Sequence, residues 1–411
     1  MTQKTESPEW QAKYRPDEDC ETGFMFDIES AYAFFEQVKD KRKARGRQYP
    51  LAIVLVMCLL AKLSGQNTPA GIADWVRLRA EFFCDKLGIK RRIVKKNGRL
   101  KMPCAGSYSR ILSKSMDADN LEMLAKEYFG SVPAAQTVVE ICIDGKKVRG
   151  TITANKPEGD YLLAAYMPGA GVVLMQVLIK PGEGELTVAP EVLKVLDLRG
   201  KIVTGDALFA QRNLSIQIVE AGGDYAWKVK GNQPTLESDI ARLFEPDPPA
   251  LPGFSNPKKD FCVAHSTTML HGRVEKRTLT ASGLLKGYTD WPYAQQVFKY
   301  ETDVTIKKTG ERTQKVRYGV TSLTTDKATP ERLLGIIRGH WQIENGLHYR
   351  RDVFLNEDNC GLRLPQLVHV FAILNNWALG LFAKAGGGNF AAAQREFNAQ
   401  PQQALKLIMR A

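Results

Sequence analysis

The feature that most constrains the fold is the run from Val138 to Lys230, in which short apolar segments rich in β-branched residues alternate with helical patterns. Five segments have the composition of strands, and two have the 3.6-residue period of amphipathic helices. The order of three strands, a helix, a strand, a helix and a strand predicts a mixed α/β unit. The predicted strands are Val138 to Asp144, Tyr161 to Met167, Gly171 to Lys180, Lys201 to Asp206 and Asp224 to Lys230, with helices at Val188 to Leu196 and Gln211 to Ala221.

The segments on either side of this unit differ from it in residue composition and periodicity. From Phe26 to about Phe129 the apolar residues follow the helical period, which predicts an α-helical domain. Between about Gln233 and Thr325 the chain is rich in Thr, Lys and Arg in short alternating runs, which predicts an inserted β-rich subdomain. A helical pattern resumes at Pro330, and a last apolar helix is predicted before Gly386.

The net charge and the apolar content of the sequence limit the classes of partner that the protein is expected to bind. Lys and Arg (57) outnumber Asp and Glu (45), and the net charge of +12 favours a polyanion, with nucleic acid ahead of a membrane surface. The most apolar stretch, Leu51 to Ala61, is shorter than the roughly 20 residues that cross a bilayer, so it predicts a buried core helix. The seven cysteines lack a C-x-x-C pair, which argues against a disulfide framework or a zinc ribbon. The polar N-terminus predicts a cytoplasmic protein.

Two aspartates follow apolar strands. Asp144 closes the first predicted strand and precedes Gly145, and Asp206 follows the apolar Ile202 to Gly205. Asp is disfavoured within strands, and ligands bind where the strands of an α/β sheet end. The pair therefore predicts a binding site at one sheet edge, although Asp206 alone would also serve as the N-cap of a helix starting near Gln211.

A third acid, Glu344, lies in a helical segment between Gly339 and Arg351. At 3.6 residues per turn, His340, Glu344 and His348 fall along one polar stripe. The stripe is compatible with a solvated helix face, with a zinc site, or with a magnesium site completed by acids elsewhere; the zinc-protease spacing His-Glu-x-x-His is absent. Because Asp144 and Asp206 supply such acids, the three carboxylates predict hard oxygen ligands for two Mg²⁺ ions and two-metal catalysis on a phosphodiester.

Basic and amide side chains near the two aspartates predict phosphate contacts, with ordinary surface exposure as the alternative. Trp227 and Trp341 occupy apolar patterns and are interpreted as packing residues. The predicted DNA contacts in this group are Lys146, Lys147, Arg149, Lys228, Lys230, Asn232 and Gln233.

Five motifs follow one another in a fixed order around these acids: Asp144-Gly-Lys-Lys-Val-Arg-Gly, Val203-Thr-Gly-Asp206-Ala-Leu-Phe-Ala-Gln211, the segment from Gly223 to Gln233, the segment from His271 to Arg277, and the segment from Arg338 to His348. Together they resemble the DDE transposases of bacterial insertion sequences, with the ISAs-type branch that includes the H-repeat-associated proteins as the nearest match. The resemblance covers roughly Phe26 to Leu381. It implies that Asp144, Asp206 and Glu344 form the catalytic and metal-binding triad.

The same resemblance implies a fold and an activity. The fold is a ribonuclease H-like mixed α/β sheet with an inserted β-rich subdomain, preceded by an α-helical N-terminal domain. The activity is Mg²⁺-dependent hydrolysis at the ends of a mobile element followed by 3′-hydroxyl strand transfer into target DNA, of the cut-and-paste type, with Mn²⁺ able to substitute for the two Mg²⁺ ions. The implied partners are double-stranded DNA, namely terminal inverted repeats and target DNA, and a second copy of the chain in a synaptic complex, near the bacterial nucleoid and with no membrane.

Two alternatives stay open from the sequence. One is a domesticated or accessory DNA-binding protein that keeps the fold without transposing. The other is a zinc hydrolase that uses His340 and His348.

The chain departs from its relatives near Glu344 and near Glu185. Related transposases have Tyr, Arg and Lys at the positions of Ile337, His340 and Arg351, and an Asn where Gly184 precedes Glu185. His340 is therefore predicted to replace an arginine at a phosphate, and Arg351 a lysine. The further DNA contacts predicted from the resemblance are Arg273, His340, Asn345, His348, Arg350 and Arg351.

Six divisions of the chain are expected on this basis. They are a mobile tail (1–22), a helical DNA-binding domain (23–132), the first part of the catalytic domain (133–232), the inserted β-rich subdomain (233–327), the catalytic-domain helices (328–385) and a C-terminal tail or helix (386–411).

Overall fold

A nine-stranded mixed sheet organises the protein in the computed structural model, which describes residues 12–15, 24–94, 98–130, 139–248, 255–256, 258–270 and 272–410. The first five strands in the sheet and their helices match the predicted α/β unit in order and type. They are β3 (Val139–Val148), β4 (Asp160–Met167), β5 (Val172–Ile179), α7 (Glu185–Lys194), β6 (Lys201–Gly205), α8 (Arg212–Glu220) and β7 (Asp224–Val229).

The order and direction of these strands define the fold class. The spatial order is β5-β4-β3-β6-β7, in which β3, β4 and β5 form an antiparallel meander while β6 and β7 run parallel to β3. Helices connect the parallel strands, as such crossovers require. This is the ribonuclease H-like arrangement expected from the resemblance, so the predicted fold class is confirmed.

The strands after Gln233 extend the same sheet. A helix, α9 (Pro234–Leu243), precedes four antiparallel strands, of which the last pairs with β7, from Tyr318 opposite Val229 to Thr321 opposite Ala226. The β-rich insertion is therefore continuous with the central sheet. Its strands are β8 (Cys262–Leu270), β9 (Arg273–Ser282), β10 (Gln296–Ile306) and β11 (Arg312–Thr321).

The predicted N-terminal helices form and pack on the sheet through one shared core. The apolar helix Leu51–Leu63, labelled α2, is buried along its whole length, which confirms the prediction of a core helix. The helices Pro69–Leu78 and Ala80–Leu87 meet at Arg79. A role for this region in binding DNA stays a prediction. The elements are β1 (Ala12–Arg15), β2 (Phe24–Asp27), α1 (Ala31–Glu36), α2 (Leu51–Leu63), α3 (Pro69–Leu78), α4 (Ala80–Leu87), α5 (Ala105–Lys114) and α6 (Ala118–Gly130).

The predicted tail at the N-terminus has some structure. Most of residues 1–22 lie outside the described ranges, but β1 falls within them and pairs antiparallel with β2.

The C-terminal segment closes over the helical core. The helix α12 (Pro365–Lys384) is long and apolar enough to cross a membrane, yet 89% of its apolar window is buried within the protein. After three glycines, α13 (Phe390–Ala399) and α14 (Pro401–Met409) pack on α1 and α2 and bury Phe390, Phe397 and Ile408. In its described part, the segment expected to be a C-terminal tail or helix thus consists of two helices packed on the core.

A buried acid in α6 makes stability depend on pH. Glu122 is 3% exposed, and its Oε1 accepts a hydrogen bond from the Gln176 N–H at 2.7 Å. Burial raises the pKa of Glu122 to about 8, against the opposing effects of that hydrogen bond and of Arg351. The folded protein thus keeps a proton that the unfolded chain has already released above about pH 5.

We therefore expect stability from Glu122 to be fully present in acid and to be lost as pH rises from about 5 to 8. The slope attributable to this residue is up to about 1.4 kcal/mol per pH unit. Glu122→Gln keeps the acceptor oxygen and should remove that part of the slope, measured by urea unfolding at several pH values. Glu127→Gln, on the exposed face of α6, is the matched control. Parallel pH profiles for wild type and Glu122→Gln would show that Glu122 is ionised in the folded state.

Candidate active site

The two aspartates lie at the same edge of the sheet. The parallel strands β3 and β6 are paired up to Cys142 opposite Thr204, and each aspartate lies two residues further along the chain, Asp144 within β3 and Asp206 just after β6. The sequence placed Asp144 at the end of its strand, but β3 continues to Val148 because it stays paired with β4 after β6 has ended.

Asp206 also has a local structural role. Its Oδ1 accepts a hydrogen bond from the Leu208 N–H at 2.9 Å and caps a single 3₁₀ turn. The helix α8 begins later, with Gln211 at its N-cap position, so Asp206 is not the cap of that helix. The carboxylate remains exposed to solvent.

Glu344 lies in an irregular helical segment. The helix α10 (Pro330–Gly339) starts at a Thr329 cap, and a π-helical turn (Ile343–His348) then leads into α11 (Tyr349–Val353). Because π-helical hydrogen bonds join residue i to i+5, positions four residues apart no longer form one stripe. The predicted continuous stripe is therefore wrong: Glu344 is exposed, whereas His340 and His348 are 8% and 5% exposed.

His340 connects this segment to the sheet through a side-chain hydrogen bond. Its Nδ1 lies 3.3 Å from the Thr204 hydroxyl, which in turn donates to the Cys142 Sγ at 3.3 Å. Burial and nearby Lys228 lower the pKa of His340 to about 3, so the ring is neutral at physiological pH. The structure places His340 in the core between β3, β6 and α10, and not at the phosphate contact predicted for it.

Glycine allows the π-helical turn to approach the sheet. A Cβ on Gly346 would lie 2.7 Å from the hydroxyl oxygen of Tyr166 on β4. A larger residue would require either this turn, which carries Glu344, or the Tyr166 side chain to shift.

The charges of three other acids act on the carboxyl group of Asp144. Burial raises the pKa of Asp144 to about 8, and the charges of Glu344, Glu185 and Asp206 add to the rise in that order. The same like-charge repulsion between carboxylates is found where acids share one site. The sequence had identified three of these four acids and had noted Glu185 only as part of a departure from relatives.

His348 faces the same carboxylate. Its Nε2 lies 3.4 Å from Oδ2 of Asp144, and the side chain is 7% exposed. Burial, followed by the charges of Arg351, Lys146 and His340, lowers the pKa of His348 to about 3, so this contact joins a neutral imidazole to a carboxyl group. Nε2 has no hydrogen-bond partner among the described residues. Its burial excludes it from the DNA contact that the sequence predicted.

The chemistry of this group fits a divalent cation. Carboxylate oxygens are the ligands that Mg²⁺ prefers, and a cation relieves the repulsion that raises the pKa of Asp144. Within the described ranges, no three His, Cys, Asp or Glu side chains are already close enough together to hold a metal ion. The acids thus lie near one edge of the sheet, but their side chains are not close enough together to coordinate a metal ion without rearrangement.

Two predicted DNA contacts belong to a buried ionic cluster instead. Arg351 is fully buried, with Nη2 2.7 Å from Oε1 of Glu357 and Nη1 donating to the Gln176 side chain. Lys146 is 7% exposed and pairs with Asp352 at 2.6 Å. Both predictions of a DNA contact are corrected, because these charges are already matched inside the protein.

Other predicted residues differ in their accessibility. Asn232 and Gln233 donate side-chain hydrogen bonds to the carbonyls of Ala207 and Ala210, so they hold the loop that follows Asp206. Lys228 is partly buried, and its pKa is lowered to about 8 by burial and by Arg317. The predicted residues that keep solvent-accessible side chains are Lys147, Arg149, Lys230, Arg273, Asn345 and Arg350.

A basic groove runs along one face of the insertion, between β9, β10, β11 and the segment that bears Glu344. Its volume is about 980 Å³. Alternation along the strands puts Lys315, Thr302 and Arg277 in one row across this face. The groove is also lined by Arg273, Arg317, Arg338, Trp341 and Asn345, and Glu275 is the acid among its lining residues.

Sequence reasoning missed part of this groove. Lys315 and Arg317 are spaced two residues apart, which was a signal for one shared face of a strand. Trp341 was interpreted as a packing residue, but it is 54% exposed at the groove wall, with the Lys228 ammonium 5.8 Å from its ring centre. Trp227 is fully buried, as expected of a packing residue. His271, which belongs to one of the five motifs, lies outside the described residues.

The chain is similar in sequence to a family of known proteins. A family model described as Transposase DDE domain matches residues 137–381, and one described as DDE_Tnp_1-associated matches residues 32–129. The H repeat-associated putative transposase YhhI of Escherichia coli K12 is 26% identical over 84% of this chain and 88% of its own. The putative transposase YncI of Escherichia coli O157:H7 is 27% identical over 86% and 87%. A piggyBac transposase synaptic complex with hairpin DNA aligns with a TM-score of 0.43 at 11% identity over 96% and 84%.

Proposed function

The chain belongs to the Transposase DDE domain family, and from that premise we propose that it cuts DNA at the ends of a mobile element and joins the freed 3′-hydroxyl to target DNA. The observation that supports this most is the convergence of Asp144, Asp206 and Glu344 beside a basic groove. Transposases of this family are nucleases and strand transferases that use divalent metal ions; Mg²⁺ is the ion proposed here, with Mn²⁺ as a substitute.

The three acids would hold two metal ions, which supply charge stabilisation at the scissile phosphate and a more acidic attacking water or hydroxyl. The protein's part is to fix the geometry. The strands β3 and β6 set the spacing of Asp144 and Asp206, while the hydrogen bond between His340 and Thr204 fixes the segment that presents Glu344. Positioning of this kind accounts for most of the protein's contribution to phosphoryl transfer.

We assign the DNA backbone to the basic groove. Arg273, Lys315 and Arg317 line it and form no ion pair with any acid in the described part of the chain. Lys228 lies between the groove and the acids, close enough to interact electrostatically with Arg317 on one side and with Asp206 and Asp144 on the other. A phosphate backbone following this surface passes from unpaired cations to the carboxylates. Such contacts position DNA and select sequence weakly.

Joining requires that two element ends and the target be held together, so we propose that a homodimer performs this step at the bacterial nucleoid. Double-stranded DNA with terminal inverted repeats is its proposed substrate. Sedimentation of the protein with and without end-bearing DNA tests this assembly.

The groove assignment predicts a salt-dependent decrease in affinity. Replacing Arg273 and Lys315 by Ala should weaken binding to DNA and lower the slope of log K against log salt by about 0.9 for each phosphate that the variant no longer neutralises. Binding is measured by fluorescence anisotropy in chelator, at several salt concentrations. Lys286→Ala, which removes an exposed lysine between β9 and β10 away from the groove, is the matched control. An unchanged slope in the double variant, with intact folding, would place DNA elsewhere.

A further inference from the structure

The glutamate that begins α7 lies directly against the strand that bears Asp144. A Cβ built on Gly145 would be 1.9 Å from Oε1 and 2.4 Å from Cδ of Glu185. The carboxylate of Glu185 therefore fills the space that Gly145 leaves open, next to the residue that follows Asp144.

Glu185 is also within electrostatic range of the two aspartates. Its charge acts on Asp144, and the charge of Asp206 acts on Glu185. The three acids belong to three separate elements, β3, the loop after β6 and the start of α7, so their proximity comes from the tertiary fold and not from local sequence.

Folding alone does not explain this position. A glutamate in the first turn of a helix is favoured by the helix dipole, but that effect operates for any orientation of the side chain. Within the described structure, Glu185 forms no hydrogen bond and no ion pair. By contrast, Glu140, near the start of β3, forms an ion pair with Arg332 at 3.1 Å.

A second, independent feature points to a ligand at the same place. The Nε2 atom of His348 belongs to a side chain that is 7% exposed, has no hydrogen-bond partner in the described structure and lies 3.4 Å from Oδ2 of Asp144. A buried polar atom without a partner is costly unless something else satisfies the site. Asp144 thus lies between two groups: Glu185 is near its backbone, and the imidazole of His348, whose Nε2 has no hydrogen-bond partner in the described structure, is near its carboxylate.

We propose that Glu185 is a fourth acidic residue of the metal-binding group and that, with Asp144, Asp206 and Glu344, it takes a divalent cation with hard oxygen ligands. This inference rests on the function proposed above. Gly145 is required because its missing side chain leaves room for the Glu185 carboxylate.

Direct measurement of Mn²⁺ binding tests the proposal without relying on activity. The protein is stripped with chelator, and free Mn²⁺ is followed by electron paramagnetic resonance during titration of wild type, Glu185→Gln, Asp144→Asn and Glu191→Gln. Glu191 is an exposed acid on the same helix and serves as the matched control. We expect Glu185→Gln to weaken Mn²⁺ binding by at least about 10-fold and Glu191→Gln to leave it unchanged.

The pattern across variants separates the possible failures. If Asp144→Asn loses Mn²⁺ while Glu185→Gln binds like wild type, the proposal for Glu185 is overturned and the site itself stands. If both Asp144→Asn and Glu185→Gln bind Mn²⁺ like wild type, the proposed active site is wrong. Melting temperatures in chelator accompany each titration, and Glu185→Gln should melt no lower than wild type because it removes like charge.

Gly145→Ala provides a second variant that moves the carboxylate without removing it. The added methyl group meets the end of a flexible side chain, so Glu185 can swing away and the fold should persist. We expect Gly145→Ala to weaken Mn²⁺ binding in the wild-type background and to add no further loss to Glu185→Gln. Additive losses in the double variant would show that Gly145 acts through something other than Glu185, and would contradict the proposal.

Discussion

Replacing Asp144 by Asn should lower DNA cleavage by at least about 1000-fold, because the variant loses the carboxylate on which the charges of the other acids act and with it several kcal/mol of transition-state stabilisation. The change keeps the size of the side chain, so the sheet should fold normally. Affinity for end-bearing DNA, measured in chelator, should stay within about threefold of wild type, since the groove cations lie on other residues. Cleavage is measured with supercoiled plasmid in the presence of Mg²⁺.

Asp197→Asn is the matched control for this experiment. Asp197 precedes β6 at the opposite end of that strand from Asp206, is about half exposed and pairs with Arg199 at 2.8 Å. It should cleave at the wild-type rate. Wild-type cleavage by Asp144→Asn would remove Asp144 from the active site.

Arg351→Met should destabilise the protein by about 3–5 kcal/mol. Removing the guanidinium takes away the closest cation of Glu357, which is 4% exposed and keeps only Lys146 at 4.0 Å and the Asn375 amide, and it also removes donors to Gln176 and Asn376. The measurement is urea unfolding at constant pH. Arg350→Met, at the neighbouring and partly exposed arginine, should have a much smaller effect.

A double variant distinguishes a buried structural charge from a DNA contact. Arg351→Met with Glu357→Gln should recover part of the stability, because the buried carboxylate that lost its closest cation is then neutral. If Arg351→Met instead keeps its stability and binds DNA more weakly, then Arg351 is the DNA contact that the sequence predicted and its place in the buried cluster is wrong.

The order of the central strands and helices followed from the sequence because each buried strand has a continuous apolar run. The strand β8 did not, since in Cys262–Leu270 only Ala264 is buried and no apolar alternation marks it. The break into a π-helical turn at Ile343–His348 also escaped prediction, because a 3.6-residue period was assumed throughout the helix.

The acids were predictable and the partners of the basic residues were not. Asp144 and Asp206 stand out because Asp is disfavoured beside buried strands. Arg351 and Lys146 look like surface cations in sequence, but Gln176 and Asp352, which satisfy them, lie 175 and 206 residues away along the chain. Pairing at such separations is created only by the tertiary fold, and the same holds for Glu185 beside Gly145.

The metal-dependent active site is tested by a single cleavage experiment on plasmid DNA that carries the element's ends, with wild type and Glu344→Gln in Mg²⁺ or in chelator. We expect cleavage with a free 3′-hydroxyl by wild type in Mg²⁺ alone, and a loss of at least about 1000-fold in Glu344→Gln with DNA binding retained. Cleavage by wild type in chelator, or equal cleavage by Glu344→Gln, would contradict the assignment of this carboxylate group as a metal-dependent active site.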